Sequence, residues 1–134
     1  MRVLAIDTAL EACAAVVLDT EHGRVANESL PMVRGHAEAL MPLIARVMHQ
    51  ADMPFTALDR VAVTTGPGSF TGLRVGIAAA RGIALASGKP AVGITTLAAY
   101  AAPLIAADGW SSIAAAPCCP CAACSGPTWA WVGQ

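Results

Sequence analysis

Residues 63–76 limit the possible folds more than any other stretch; they read Val-Thr-Thr-Gly-Pro-Gly-Ser-Phe-Thr-Gly-Leu-Arg-Val-Gly. The Gly-Pro-Gly segment at 66–68 cannot lie inside a helix or a strand, because proline lacks an N–H group and glycine loses the most backbone entropy on ordering. Ser69 and Thr71 follow it, and both are candidate N-caps for a helix over residues 72–87. The stretch therefore predicts a strand, a tight turn and a helix.

The composition indicates a folded protein with much buried surface. The chain has 134 residues, enough for one modest domain or part of a larger protein. An apolar fraction of 56% and a charged fraction of 13% exclude disorder, and we expect part of the apolar surface to face a partner. The net charge of −1 gives no electrostatic basis for binding nucleic acid unaided. We expect no targeting segment and no membrane span, since the apolar tract 91–107 is short and rich in small residues, and we therefore expect a cytoplasmic protein.

The order of apolar runs and turns is typical of an α/β protein. Three strands over 3–6, 13–18 and 24–30 precede a helix whose apolar residues recur over 37–51. Pro42 lies inside that helical pattern, so the helix either begins near it or kinks there. A strand at 61–63, the 72–87 helix, a strand at 91–94 and a helix to about residue 107, capped by Thr95 or Thr96, complete the order β-β-β-α-β-α-β-α. We predict a mixed sheet with helices on its faces.

The character of the chain changes after about residue 110. Residues 112–134 contain no charged residue and show no periodicity. We therefore predict two regions, a folded domain over 1–110 and an atypical Ala/Pro/Cys-rich tail over 111–134. Cys118, Cys119, Cys121 and Cys124 have the spacing of thiolate metal ligands, but such sites usually split their cysteine pairs across an ordered turn, so we expect no metal there.

The glycine turn allows a binding role or a structural one. Gly66, Gly68 and Gly72 stand between a strand and a helix, where N–H groups attract phosphate. The Gly-Lys-Ser/Thr end of a P-loop is absent, because Leu73 and Arg74 occupy that place, and the spacing does not fit the dinucleotide fingerprint. A structural turn is therefore the more common explanation.

The glycines inside the predicted 72–87 helix indicate a close contact with a neighbouring element. Gly72, Gly76 and Gly82 each cost about 0.8–1 kcal/mol relative to alanine in a helix interior. The side that contains Gly72 and Gly76 also carries Ala79, Ala80 and Ile83. Two explanations stay open: this side packs on the sheet, or it forms a helix–helix interface with the neighbouring arginines at its rim.

Two polar residues are candidates for chemistry. Asp7 ends the first strand, where the carboxyl ends of strands in open α/β sheets face ligands, although a turn role is equally compatible. His36 lacks a second histidine one turn later, because position 40 is Leu40, and a helical metal pair needs that spacing.

Taken together, several blocks of the sequence resemble the TsaB family, also called YeaZ. The blocks are Leu4-Ala5-Ile6-Asp7-Thr8-Ala9, Glu11-Ala12-Cys13, His36-x-x-x-Leu40-Met41-Pro42, Gly66-Pro67-Gly68-Ser69-Phe70-Thr71-Gly72-Leu73-Arg74-x-Gly76 and Gly93-Ile94-Thr95-Thr96-Leu97. The resemblance covers residues 1–110 and implies the first lobe of an actin/Hsp70/sugar-kinase fold. The second lobe of that fold is not recognisable after Trp110, which suggests that the tail is frameshifted or mispredicted.

The resemblance also implies a function. Members of the family support TsaD, the catalytic subunit that makes N6-threonylcarbamoyladenosine at position 37 of tRNA, by forming a heterodimer that the ATPase TsaE joins. tRNA is then contacted through the complex, and a homodimer is a possible resting state. In TsaD a His-x-x-x-His pair binds metal, and sugar-kinase and actin-like ATPases have glycine where Ala9 stands. These departures imply a chain without its own catalysis, cofactor or metal.

The predicted site is accordingly an interface. We place it on two helices, with these residues: Leu40, Ile44, Val47, Gly72, Leu73, Gly76, Ala80 and Ile83. The family-motif residues are Asp7, Gly66, Gly68, Ser69, Phe70, Thr71 and Arg74. The alternative is a catalytic member of the same superfamily, either an ATP-dependent threonylcarbamoyl transferase or a glycoprotease-like metallopeptidase.

Overall fold

The computed structural model of the protein describes residues 1–32 and 34–107. The elements in chain order are β1 (Arg2–Asp7), β2 (Ala12–Asp19), β3 (Gly23–Pro31), α1 (His36–Gln50), β4 (Arg60–Thr64), α2 (Phe70–Ser87), β5 (Ala91–Ile94) and α3 (Thr96–Ala107), with a short 3₁₀ turn at Phe55–Ala57. The predicted α/β order is confirmed. The boundary at 110 and the four cysteines of the tail lie outside the described residues.

Five strands form one mixed sheet in the order β3-β2-β1-β4-β5. β1 is central: it pairs antiparallel with β2 and parallel with β4. β2 pairs antiparallel with β3, and β4 pairs parallel with β5. Because β1 and β4 run in the same direction, the chain segments that follow both strands emerge at one edge of the sheet, and that edge carries the glycine turn.

One face of the sheet is covered by α1 and α2. Leu4 and Ile6 of β1 point to that face and are almost fully buried, together with residues of the neighbouring strands and of both helices. The alternating pattern of β1 and β2 is that of strands with one face in a hydrophobic core. The opposite face carries the alternate residues, which are mainly half-buried.

The structure decides the helix starts that the sequence left open. α2 begins at Phe70, not at Gly72, because Ser69 is the N-cap and its hydroxyl accepts a hydrogen bond from the Gly72 N–H. Thr71, the other cap candidate, lies inside the first turn. α1 begins at His36 and continues through Pro42, so it does not begin near the proline. At α3, the Thr95 hydroxyl accepts from the Ala98 N–H, which identifies Thr95 as the cap.

Candidate functional site

The glycine turn and the first half of α2 lie directly against the end of β1. A Cβ atom at Gly68 would overlap the carbonyl oxygen of Ala9, and one at Gly72 would overlap the carbonyl oxygen of Thr8. At Gly76 the overlap would be with the Thr8 hydroxyl. The three glycines therefore allow the turn and the first half of α2 to contact the two residues that follow β1. We call this contact between residues 8–9 and residues 68–76 the glycine joint.

Hydrogen bonds hold the glycine joint together. The Thr8 hydroxyl, which is fully buried, donates to the carbonyl of Gly72 at 2.8 Å. The Ser69 N–H donates to the carbonyl of Ala9 at 2.7 Å. Each bond joins residues about sixty positions apart in sequence, since the Thr8–Gly72 pair is separated by 64. The joint fixes the entry of α2 relative to the central strand.

Asp7 has a structural role at the same edge. Its Oδ1 accepts from the Ala9 N–H at 3.0 Å and from the Thr64 hydroxyl at 2.8 Å. The carboxylate thus links the ends of the two parallel strands β1 and β4. Behind it, burial raises the pKa of the Cys13 thiol, and the charge of Asp7 adds to that effect. Cys13 therefore stays protonated and is a poor nucleophile.

The turn is anchored on its other side to β5 and α3. The Thr65 N–H donates to the carbonyl of Ile94 at 2.8 Å, and the Thr96 N–H donates to the carbonyl of Gly66 at 2.8 Å. Gly66 has a φ of +114°, which only glycine adopts readily. Gly93 lies so close to Thr65 that a Cβ would come within 2.7 Å of its methyl group. The block is thus packed into the domain on both sides.

This packing argues against a phosphate cradle. The Ser69 N–H is taken by Ala9 and the Gly72 N–H by the Ser69 hydroxyl, so protein acceptors already occupy two of the N–H groups at the start of α2. Gly68 and Gly72 make room for β1, whereas a phosphate loop uses glycine to admit a ligand.

The predicted interface residues are placed largely inside the domain. Seven of the eight belong to the buried parts of α1 and α2: Leu40, Ile44, Val47, Gly72, Gly76, Ala80 and Ile83. Leu73 is half-buried, and its Cδ1 would lie 3.2 Å from a Cβ at Gly66. The small side of α2 thus packs on β1 and β4, the first of the two explanations left open. These seven residues are buried in the isolated chain, with Ile83 also lining the groove between α1 and α2, and their role in a partner interface stays a prediction.

The solvent side of α2 is a different set of residues. Phe70, Arg74, Ala78, Arg81 and Leu85 follow one another at helical spacing and are exposed. Leu85 is 86% exposed and Phe70 is 74% exposed, and the Arg74 guanidinium lies 5.2 Å from the Phe70 ring centre. We call these five residues the α2 stripe. The helical periodicity of the sequence places Arg74, Ala78, Arg81 and Leu85 on one side of the helix. It does not show that this side faces the solvent.

A shallow groove of about 370 Å³ runs beside the α2 stripe, between α1 and α2. It is lined by Met41, Phe55, Thr56, Ala79, Gly82, Ile83, Ala86 and Ser87. Gly82 is exposed there, and a Cβ on it would meet nothing within 4 Å. The fold itself gives no reason for glycine at this position, unlike at Gly72 and Gly76.

The histidine position and the acidic clusters do not form a metal centre at this edge. Leu40 lies in the core one turn after His36, so the second ligand of a helical pair is replaced by a packing residue. His36 is buried, and its Nε2 has no hydrogen-bond partner within the described part of the chain. Over 1–32 and 34–107, the group of side chains close enough to share an ion is Asp19, Glu21 and His22, at the opposite end of β2.

Comparison with known proteins identifies the family to which this chain is similar. A family model described as "TsaD: tRNA N6-adenosine threonylcarbamoyltransferase" matches residues 29–123. The TsaB protein of Escherichia coli, named for tRNA threonylcarbamoyladenosine biosynthesis, is 37% identical over 97 residues, which cover 72% of this chain and 41% of that protein. A tRNA N6-adenosine threonylcarbamoyltransferase of Erythrobacter litoralis is 44% identical over 68 residues, covering 51% of this chain and 20% of that enzyme.

A solved structure agrees with the sequence relatives. YeaZ from Pseudomonas aeruginosa superposes with a TM-score of 0.72 at 32% identity, covering 81% of this chain and 50% of that one. The fold is thus a lobe of the actin/Hsp70/sugar-kinase type. The chain belongs to the threonylcarbamoyltransferase family of the matching model, and its predicted kinship with the TsaB (YeaZ) members is confirmed. It spans about half the length, or less, of these relatives.

Proposed function

We propose that the chain acts as a non-catalytic accessory subunit in the synthesis of N6-threonylcarbamoyladenosine at position 37 of tRNA, and that it supports the catalytic subunit TsaD by binding it. The observation that carries this proposal is the glycine joint. The most distinctive block of the sequence is used to pack α2 on β1, and its N–H groups serve protein acceptors. The replacement of a second histidine by the core residue Leu40 supports the same conclusion.

The α2 stripe and the neighbouring groove are the surface that we propose for TsaD. They combine exposed apolar side chains with two arginines, a composition typical of interface centres and rims. Gly82 lets another backbone or a bulky side chain approach the groove closely, which would account for a glycine that the domain itself does not need. This surface adjoins the residues that the sequence predicted for the interface, and Ile83 belongs to both sets.

The wider assembly follows from the same proposal. TsaE would join the pair as an ATPase, tRNA would be contacted through the complex, and the free chain would form a homodimer through the same stripe. We place the protein in the cytoplasm, where tRNA is modified. Among the helices that the structure describes, none has the length and apolar character needed to cross a bilayer.

Co-purification with TsaD tests the proposed surface with a matched pair of variants. Leu85→Glu places a charge in the α2 stripe, and Leu97→Glu makes the same change on α3 at a residue that is 68% exposed. We expect Leu85→Glu to reduce recovery of TsaD at least tenfold, equivalent to about 1.4 kcal/mol, and Leu97→Glu to leave it unchanged. Equal recovery with both variants contradicts the assignment of the surface.

Complementation tests the function itself. In a strain depleted of TsaB, we expect the chain to restore the modified adenosine measured by mass spectrometry, and the Leu85→Glu variant to restore less. Failure of the unchanged chain, when it is present and folded, contradicts the proposal.

A catalytic role is the second candidate, because several relatives carry the name of the transferase. That role requires a nucleotide or metal site. Calorimetry with ATP and metal analysis of the purified chain separate the two candidates. We expect neither ligand to bind, and stoichiometric binding of either one would favour the transferase or a metallopeptidase-like member.

A further inference from the structure

The charges of the described residues are divided unevenly along the chain. Residues 60–107 contain no carboxylate, and their basic side chains are those of Arg60, Arg74, Arg81 and Lys89. The carboxylates of the described residues all lie in the part of the chain that ends at Asp59. Helix α2 therefore carries positive charge only, on a domain whose formal net charge is close to zero.

The two arginines of α2 lie within the α2 stripe and are exposed. Within the described part of the chain, the ion pairs are formed by other residues. Arg74 and Arg81 are about two helical turns apart, which is roughly 10.5 Å along the axis. The ring of Phe70 lies 5.2 Å from the Arg74 guanidinium and orients it. The stripe thus holds two cations between two exposed apolar side chains, Phe70 and Leu85.

This arrangement of charge favours one kind of partner surface. Carboxylates opposite the two guanidinium groups are attracted, and an arginine fork can bind a carboxylate through two parallel hydrogen bonds. Lysine or arginine in the same place is repelled. Charges at an interface therefore discriminate between partners that have similar apolar surfaces.

A second copy of this chain is a poor match for its own stripe. When two copies bind about a two-fold axis, each surface meets the same surface of the other copy. A contact of stripe on stripe would bring two arginines from each copy together, and α2 supplies no carboxylate to pair with them. The repulsion is strongest at low ionic strength, where it is least screened.

We propose that Arg74 and Arg81 select the partner of the α2 stripe. They bind a surface of TsaD that presents carboxylates opposite them, and they weaken the contact between two copies of this chain. The inference rests on the proposed function, because TsaD is the partner. It adds the charge that the TsaD surface must carry and a reason why a shared stripe favours TsaD over self-association.

The dissociation constant for TsaD, measured by calorimetry at low and high salt, tests the first part. Between about 50 mM and 500 mM sodium chloride the Debye length falls roughly threefold, so we expect binding to weaken about fivefold. The double variant Arg74→Gln with Arg81→Gln should bind about tenfold more weakly than the parent at the lower salt concentration and should lose most of the salt dependence. Both residues are exposed, so the variant should keep the circular dichroism of the parent.

Two further variants separate charge from other effects. Arg60→Gln removes an exposed arginine of β4 that lies outside the stripe, and it should bind TsaD as the parent does. Arg74→Lys with Arg81→Lys keeps the charge and should keep most of the affinity that the glutamine variant loses.

Sedimentation equilibrium of the chain alone tests the second part. At the lower salt concentration, we expect the double glutamine variant to dimerise at least threefold more tightly than the parent, because the repulsion is gone. A variant that dimerises no more tightly than the parent overturns this part of the proposal.

The outcomes distinguish this inference from the proposed function. TsaD binding that does not weaken with salt, or that is equally strong in the double glutamine variant, overturns the selection by charge and leaves the accessory role standing. An equal loss in the lysine and glutamine variants also overturns it, since the charge would then not be the cause. A parent chain that fails to bind TsaD at either salt concentration contradicts the accessory role and this inference together.

Discussion

The two sides of α2 carry the same residue type for different reasons. On the side that faces the sheet, Gly72 and Gly76 are in contact with Thr8, and a methyl group has no space. On the solvent side, Gly82 has open space around it. A glycine in a helix thus signals close approach in both cases, but the approaching group lies inside the domain in one and, by our proposal, in a partner in the other. Substitutions at these positions can separate the two meanings.

The largest effect is expected at Gly72. Gly72→Ala would drive a Cβ into the carbonyl oxygen of Thr8, a fully buried residue that directly follows the central strand and is hydrogen-bonded to α2. Overpacking against backbone costs more than the gain in helix propensity, so we expect the free energy of unfolding to fall by about 3 kcal/mol. Urea unfolding followed by circular dichroism measures it. A loss below about 1 kcal/mol would show that the joint has room to relax.

Gly76 should differ from Gly72 in a way that a double-mutant cycle detects. The obstacle at Gly76 is the Thr8 hydroxyl, whereas the Thr8 Cβ would stand at an ordinary 3.5 Å. We expect Gly76→Ala alone to cost about 2 kcal/mol, and to cost less than about 1 kcal/mol when Thr8 is also alanine.

Gly72→Ala in the same Thr8→Ala background is the control for that cycle. Its obstacle is the backbone oxygen, which the Thr8 substitution leaves in place, so its cost should not change. If the Thr8 substitution rescues both glycine variants or neither, the proposed division of contacts is wrong. The Thr8→Ala variant itself should lose about 1 kcal/mol from its hydrogen bond to Gly72.

Gly82→Ala should have the opposite sign. The added methyl group meets nothing, and alanine removes the entropy cost of an exposed helical glycine, so we expect the isolated chain to gain about 0.5–1 kcal/mol. Thermal unfolding of the purified chain measures the gain. The same variant should weaken TsaD binding if a partner fills the groove. A destabilised chain would indicate that Gly82 has a contact within the domain.

The smallest effect concerns the ion pair that ties α1 to β3. Arg46 donates to both carboxylate oxygens of Glu28, at 2.6–3.0 Å, and this bonding holds the pKa of Glu28 below its usual 4.5. A lowered pKa in the folded state adds stability above the unfolded pKa, and that stability is lost as the pH falls through the folded pKa. We measure the free energy of unfolding from pH 7 to pH 3. It should therefore decrease less on acidification in Arg46→Gln than in the parent chain. Arg81→Gln, at an exposed residue of α2, should show the same decrease in the free energy of unfolding on acidification as the parent chain.

The sequence predicts the order of elements well, because turn residues and hydrophobic periodicity are local signals. Gly88 and Pro90 end α2, and the Gly-Pro-Gly turn separates β4 from α2. Such residues interrupt helices and strands whatever the rest of the fold. The direction of the small side of α2 could not be predicted in the same way. Periodicity shows that Gly72 and Gly76 share a side, but it does not show that Thr8, 64 positions from Gly72, lies opposite.

The burial of the predicted interface residues could not be read from the sequence for the same reason. Leu40 and Ile44 are apolar at helical spacing, and such a pattern fits a partner surface as well as a core. The packing of α1 on β2 assigns both residues to the core, and this packing joins segments that are distant in sequence. The exposed members of α2 could be grouped from sequence, yet the glycine at position 82 acquires its distinct meaning only when the space around it is known.

The glycine joint also has a consequence for how the chain is made. The β1–β3 meander forms from neighbouring segments of the chain. The other edge of β1 stays unpaired until β4 is made, and Thr64 of β4 lies 57 positions after Asp7. During synthesis from the N-terminus, a central strand with buried Leu4 and Ile6 therefore spends a long interval with an unpaired edge. Such edges recruit other strands, so the nascent chain is most prone to aggregate before the segment 60–76 has left the ribosome. Closing the joint ends that interval.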